Sequence, residues 1–217
     1  MRPTPSINGT PLKYSRTSFV LLSASALMVL CFGASSSTPR PLAPANVAGK
    51  VMAGAAGLAN AVVYLEGVPG TFPAPTQRAI LNQKDKNFTP HVLAVQKGTT
   101  VELLNSDDFL HNTFSDSKAK TFNLNQPVKD SRSLLKTDQA GVVEVRCHIH
   151  GSMQAWLIVL DNPFFAVTDA KGIFHINGVP PGTYKMKAWS ETHGTLTQEV
   201  KVVEKDGATV LLKFAGK

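Results

Sequence analysis

Beyond residue 46 the chain has no long segment with the apolar spacing of an amphipathic helix, and nothing else constrains its fold as strongly. In place of helices come short β-branched runs at 47–52, 61–65, 91–95, 99–104, 141–147 and 155–160. Five more follow at 164–167, 172–176, 182–188, 195–203 and 209–214, and turn residues (Gly, Pro, Asn or Asp) punctuate the series. Short strands at such spacing specify an all-β fold, either a sandwich or a Greek-key barrel. The stretch 115–136 is polar and weakly patterned, which predicts loops with an edge strand or a short helical turn. Hydrophobic residues make up 43% of the chain, enough to offset the entropy of ordering it, so wholesale disorder is excluded.

The N-terminal segment differs in kind. Arg2, Lys13 and Arg16 precede any acidic residue, and the apolar stretch after them spans roughly 14 residues, whereas a membrane-spanning helix needs about 20. Small residues follow, from Gly33 to Ser37. Residues 1–37 read as a cleaved export signal, with a retained anchor as the alternative; Leu30 before Cys31 is too large for a lipoprotein signal. Residues 38–45 form a Pro-rich tether. The segment 1–37 holds three of the 22 basic side chains and none of the 15 acidic ones, so the remainder carries a mild +4. That charge, with no basic cluster interleaved with aromatics, argues against nucleic acid as a partner. The expected mature chain is exported, periplasmic or extracellular, with no membrane span.

Export makes the cysteine count informative. Past the signal only Cys147 remains, and a lone thiol in an oxidising compartment is a liability without a use. Val143, Val145 and Cys147 fall on one strand face, so the sulfur points inward. An imidazole follows three residues later at His150, and a thioether three residues beyond that at Met153. A thiolate, imidazoles and a weak thioether form a soft, mixed donor set that suits copper cycling between Cu(I) and Cu(II); zinc would want a fourth strong donor. One more imidazole is needed. His111, in a polar loop after the 99–104 strand, is the best candidate. Alone, each residue has a plainer reading, as a buried hydrophobe, a surface imidazole or a core filler. His148 projects away from Cys147, and His91, His175 and His193 read as structural. Asp107 and Asp108 read as turn residues, since no serine or second base sits at matching motif positions for acid–base catalysis. Trp156 and Phe109 read as core or rim packing.

The C-x2-H-x2-M spacing of Cys147, His150 and Met153 resembles the ligand loop of the cupredoxins, with the short spacing of amicyanin. The phrases Phe88-Thr89-Pro90, Val92 to Val101 and Asn105 through Asn112 resemble the plastocyanin-like pattern, so the likeness covers residues 75–160. The resemblance implies a Greek-key sandwich binding one copper ion, with His111, Cys147 and His150 as the trigonal ligands and Met153 as the axial one. It implies that Asn112 ties the two ligand loops together and donates its backbone N–H to the sulfur. Gly151 departs from the pattern, since amicyanin-like loops often carry proline there.

A second likeness lies outside that stretch. Thr168-Asp169-Ala170-Lys171-Gly172-Ile173-Phe174 reads as a hairpin, and Pro180-Pro181-Gly182-Thr183-Tyr184 as a turn entering a strand. Together they resemble the carboxypeptidase regulatory-like domain, a small prealbumin-like sandwich whose opening strands match Gly49-Lys50-Val51 and Ala61 to Leu65. The expected organisation is a discontinuous sandwich from 46–70 plus 161–217, with the cupredoxin domain of 75–160 inserted at a loop; two consecutive domains are the alternative. Chains of this composite look resemble methylamine-utilisation-like proteins. The resemblance implies a one-electron carrier with transient redox partners and no enzymatic activity. The competing classes are copper storage or delivery, and a metal-free binding or scaffold module.

Overall fold

The computed structural model describes residues 43–215, so the expected signal (1–37) and residues 38–42 of the tether lie outside the described residues. The described chain is all-β. Three strands open it: β1 (Ala45–Ala53), β2 (Ala56–Gly57) and β3 (Val62–Glu66). Nine follow: β4 (Ala79–Lys84), β5 (Asn87–Thr89), β6 (Val92–Gln96), β7 (Thr100–Asn105), β8 (His111–Ser117), β9 (Lys120–Gln126), β10 (Arg132–Lys136), β11 (Gly141–Arg146) and β12 (Gln154–Leu160). Five close it: β13 (Phe165–Val167), β14 (Ile173–Val179), β15 (Gly182–Ser190), β16 (Gly194–Val202) and β17 (Ala208–Phe214). Among the described residues no helix is long and apolar enough to cross a membrane.

Strands β1–β3 and β13–β17 pair only with one another, in sheets ordered β14-β1-β17 (with β2 on β1) and β13-β3-β15-β16. Val47, Val51, Phe174 and Leu212 from the first meet Val63, Leu65, Met186 and Ala188 from the second in one apolar core. Strands β4–β12 form the other two sheets, β10-β7-β4-β5 and β6-β12-β11-β8-β9. Their core joins Leu81, Val101 and Leu103 to Val143, Val145 and Leu157, and it takes in Cys147 and Met153. A third cluster stitches the two sandwiches together. Val92, Ile158 and Leu160 on β6 and β12 pack against Val62 and Trp189 on β3 and β15, and the Trp156 and Trp189 rings lie 5.3 Å apart.

Three sequence expectations need correction. In the stretch 115–136 the edge-strand alternative holds and the helical turn does not: it completes β8 and supplies β9 and β10, both at sheet edges. β9 lies at a sheet edge, so every second residue faces water (Thr121, Asn123, Asn125) and the polar half of the alternation hides the strand. His111 is not in a loop; it is the first residue of β8. The 168–174 segment makes the expected tight turn, with Asp169 Oδ1 accepting the N–H groups of Lys171 and Ile173, both at 2.8 Å. It is not a hairpin, because β13 pairs with β3 in one sheet and β14 with β1 in the other. Gly172 lets the chain cross between sheets, with a left-handed φ of 78° and a backbone contact so close that a Cβ would sit 2.3 Å from the Val51 carbonyl oxygen.

Candidate metal centre

Strands β11 and β12 are antiparallel, and the pairing of Arg146 with Gln154 closes a seven-residue turn, 147–153, between them. Alternation along β11 turns Val143 and Val145 fully inward, and Cys147 continues that face at 4% exposure. The Met153 N–H donates to the His150 carbonyl at 2.9 Å, tightening the turn, and the Met153 side chain is buried with Cys147 in the core. β8 lies beside β11, joined at Phe114 and Arg146, which brings its first residue, His111, alongside the turn. His111 is wholly buried and His150 half-buried.

Three donor atoms converge there. His111 Nδ1 lies 3.9 Å from Cys147 Sγ, His150 Nδ1 lies 4.0 Å from the same sulfur, and the two ring nitrogens are 3.2 Å apart. A triangle of those sides has its centre about 2.2 Å from each corner, which falls within the metal–imidazole and metal–thiolate bond range of about 2.0–2.3 Å. Among the described residues this is the one group of three or more such side chains close enough to hold an ion. A thiolate with two imidazoles fits copper by donor softness, and the Met153 thioether is buried in the same turn.

The surrounding bonds fix the donors. His111 Nε2 lies 2.8 Å from Asp107 Oδ2. Asp107 also accepts the N–H of Asp85 (2.7 Å) and of Lys86 (3.1 Å), both in the tight β4–β5 turn. Burial alone would raise the Asp107 carboxyl; the Lys86 N–H, the His111 ring and the Asp85 N–H outweigh it and hold the group below its ordinary value. The wholly buried Asn105 braces the loop before β8, accepting the Asp107 N–H and donating to the carbonyls of Phe109 and Gln126. Partial burial, then the His111 ring and Lys86, push the His150 imidazole below its usual range, against a smaller opposing pull from Asp107.

Sequence reasoning misread the Asp107 side chain, and the Asn112 side chain turns elsewhere. The carboxamide of Asn112 donates to Asn123 and Asn125 on β9, at 2.6 and 2.9 Å, and not to the 147–153 turn. Strand alternation explains this, since residues 111 and 112 leave opposite faces of β8. Asn105 braces the loop before β8 and Asp107 holds His111, so Asp107 is no mere turn residue. Its four-residue offset from His111 is the only sequence trace of that contact. His148 is exposed and stacks on Phe114 with ring centroids 3.6 Å apart. His91 binds Glu191 at 2.7 Å, and His193 contacts Thr192, in structural settings. Phe109 packs on both candidate ligand rings, 5.2 Å from His111 and 5.5 Å from His150. With Leu110 and Ile149 it forms an apolar rim, each side chain 40–47% exposed.

No protein-family model matches the chain, and no curated protein matches it. Partial similarity to solved structures exists. A copper-containing nitrite reductase from Thermus scotoductus SA-01 is 22% identical over 39% of this chain and 22% of its own, with a TM-score of 0.35. The chain thus spans about a fifth of that reductase's length. A mutant of amicyanin in its Cu(I) form is 17% identical over 45% of this chain and 98% of its own, with a TM-score of 0.35. A purple cupredoxin from Nitrosopumilus maritimus is 24% identical over 38% and 99%, with a TM-score of 0.33.

Proposed function

We propose that the chain is an exported mononuclear blue copper protein that carries single electrons. The observation that supports this best is the convergence of His111 Nδ1, Cys147 Sγ and His150 Nδ1 on one point beside the buried Met153. When bound, copper supplies a Cu(I)/Cu(II) couple. The protein's part is to keep the donors still: Cys147 extends a core strand, His111 opens a neighbouring one, and the turn between β11 and β12 is closed by strand pairing. Donors held this way need little rearrangement as charge arrives and leaves. His150, half-buried behind Phe109, Leu110 and Ile149, offers the edge through which an electron would pass to a transiently docked redox partner. Residues 75–160 are assigned to a cupredoxin domain, with His111, Cys147, His150 and Met153 as ligands. Residues 46–70 and 161–217 are assigned to a carboxypeptidase regulatory-like sandwich that carries it. Export to the periplasm or beyond follows from the basic and apolar N-terminal segment.

The test is to add copper to the purified chain and record its visible spectrum beside that of Cys147→Ser. An intense thiolate-to-copper band present in the parent and lost in the variant supports the reading. No copper uptake refutes it, and rapid metal loss without a stable Cu(II) form points to copper delivery instead.

A further inference from the structure

A carboxylate at 7% exposure is costly to bury unless every lone pair finds a donor. Asp107 leaves neither oxygen without a donor: the Asp85 N–H is on Oδ1, and the Lys86 N–H and His111 Nε2 are on Oδ2. The two backbone donors come from consecutive residues with left-handed φ, 53° at Asp85 and 57° at Lys86, so the whole β4–β5 turn is presented to this one side chain. An ionised carboxylate accepts and cannot donate, so its contact with His111 requires the proton on Nε2. A neutral imidazole has one N–H. With that N–H on Asp107, Nδ1 is a bare lone pair, and Nδ1 is the atom facing Cys147 Sγ and His150 Nδ1.

The geometry points to Asp107 as the positioning residue of the proposed copper centre, holding the His111 ring by Nε2 so that only Nδ1 is offered to the metal. This rests on the blue-copper reading given above. A carboxylate behind a ligating imidazole fixes its tautomer and orientation and raises its basicity. Its negative charge also favours the more highly charged ion, which lowers the reduction potential. Asparagine cannot replace it: one end of a carboxamide donates, so Asp85, Lys86 and His111 cannot all be satisfied at once.

The test begins with the 15N-labelled, metal-free full chain, whose imidazole tautomers are read by long-range 1H–15N correlation. The expected result is His111 protonated on Nε2. In Asp107→Asn the tautomer shifts towards Nδ1–H, Cu(I) affinity measured against a chromogenic chelator falls about 10–100-fold, and the reduction potential rises. A parent His111 protonated on Nδ1 overturns the proposal, as does a folded Asp107→Asn that keeps both the tautomer and, within about threefold, the Cu(I) affinity. The parent measurement needs no variant, so a substitution that misfolds does not shield the idea. Should the parent take up no Cu(I), the blue-copper reading falls and the positioning role with it. What then survives is the hold on the ring alone, shown by an Nε2–H tautomer in the parent that Asp107→Asn loses.

Discussion

Met153 has two possible jobs, packing and weak ligation, and one pair of substitutions separates them. The side chain is 1% exposed and lies in the core with Cys147, Val145 and Leu157. Met153→Leu nearly conserves volume, so packing alone predicts a loss below about 1.5 kcal/mol. At about 2–4 °C per kcal/mol for a domain of this size, that is at most about 6 °C in Tm. Met153→Ala opens a cavity and is expected to cost about 2–5 kcal/mol, or about 4–20 °C. The copper readout should rank the variants differently. A thioether donor stabilises the doubly charged ion more than the singly charged one, so both variants lose that preference and both raise the potential. A preference of about 1.4 kcal/mol corresponds to about 59 mV for one electron. The assays are thermal unfolding of the metal-free variants and voltammetry of the loaded ones. A Met153→Leu protein with unchanged spectrum and potential would reduce Met153 to a core filler, and a loss beyond about 3 kcal/mol in that variant would refute the packing argument.

Copper at a hundred times its dissociation constant should stabilise the chain by about 2.7 kcal/mol, raising Tm by about 5–10 °C; a chelator should reverse this, and an unmoved melting curve would count against the site. The backbone N–H of Ile173, helped by that of Lys171, holds Asp169 below 3.8, and the His91 ring holds Glu191 below 4.5. Both carboxyls have depressed folded values, so their stabilisation is present above the ordinary values and lost as pH falls through the folded ones. Urea midpoints should therefore drop as pH falls below about 4.5, less steeply in Asp169→Asn; parallel pH profiles would contradict this. Gly172→Ala and Gly178→Ala form a matched pair, since both have left-handed φ, 78° and 71°, but only at 172 would a Cβ meet backbone. The second should cost about 1–2 kcal/mol and the first clearly more, measured by denaturant titration.

The sequence reveals those strands whose two faces are both apolar or strongly alternating. Val142 to Cys147 and Ala155 to Leu160 are examples, and β11 and β12 occupy nearly those positions. It conceals β9, whose outward residues Thr121, Asn123 and Asn125 are polar, and β10, where Leu135 is the one buried side chain. The nearness of Cys147, His150 and Met153 could be read from spacing, since seven residues between paired strands leave little freedom. That His111 reaches them depends on β8 lying next to β11, a long-range pairing that local pattern does not encode. The Asp107 contact was illegible for a similar reason: an aspartate among Asn105, Ser106 and Asp108 looks like a turn former until the β4–β5 turn is folded against it. The Asn112 side chain turns away from the 147–153 turn because strand alternation sets which side chain faces the donor atoms.

The strand that leaves the metal turn is oily on both sides. Ala155, Leu157 and Val159 enter one core, while Trp156, Ile158 and Leu160 meet Val62 and Trp189 of the other sandwich. Cutting residues 75–160 out as a free-standing fragment would therefore strip the outer flank of β12 and leave a sticky, self-associating slab. The two sandwiches are for this reason unlike beads on a string, and a transplant of the β4–β12 half onto another carrier would first have to repaint that flank with polar side chains.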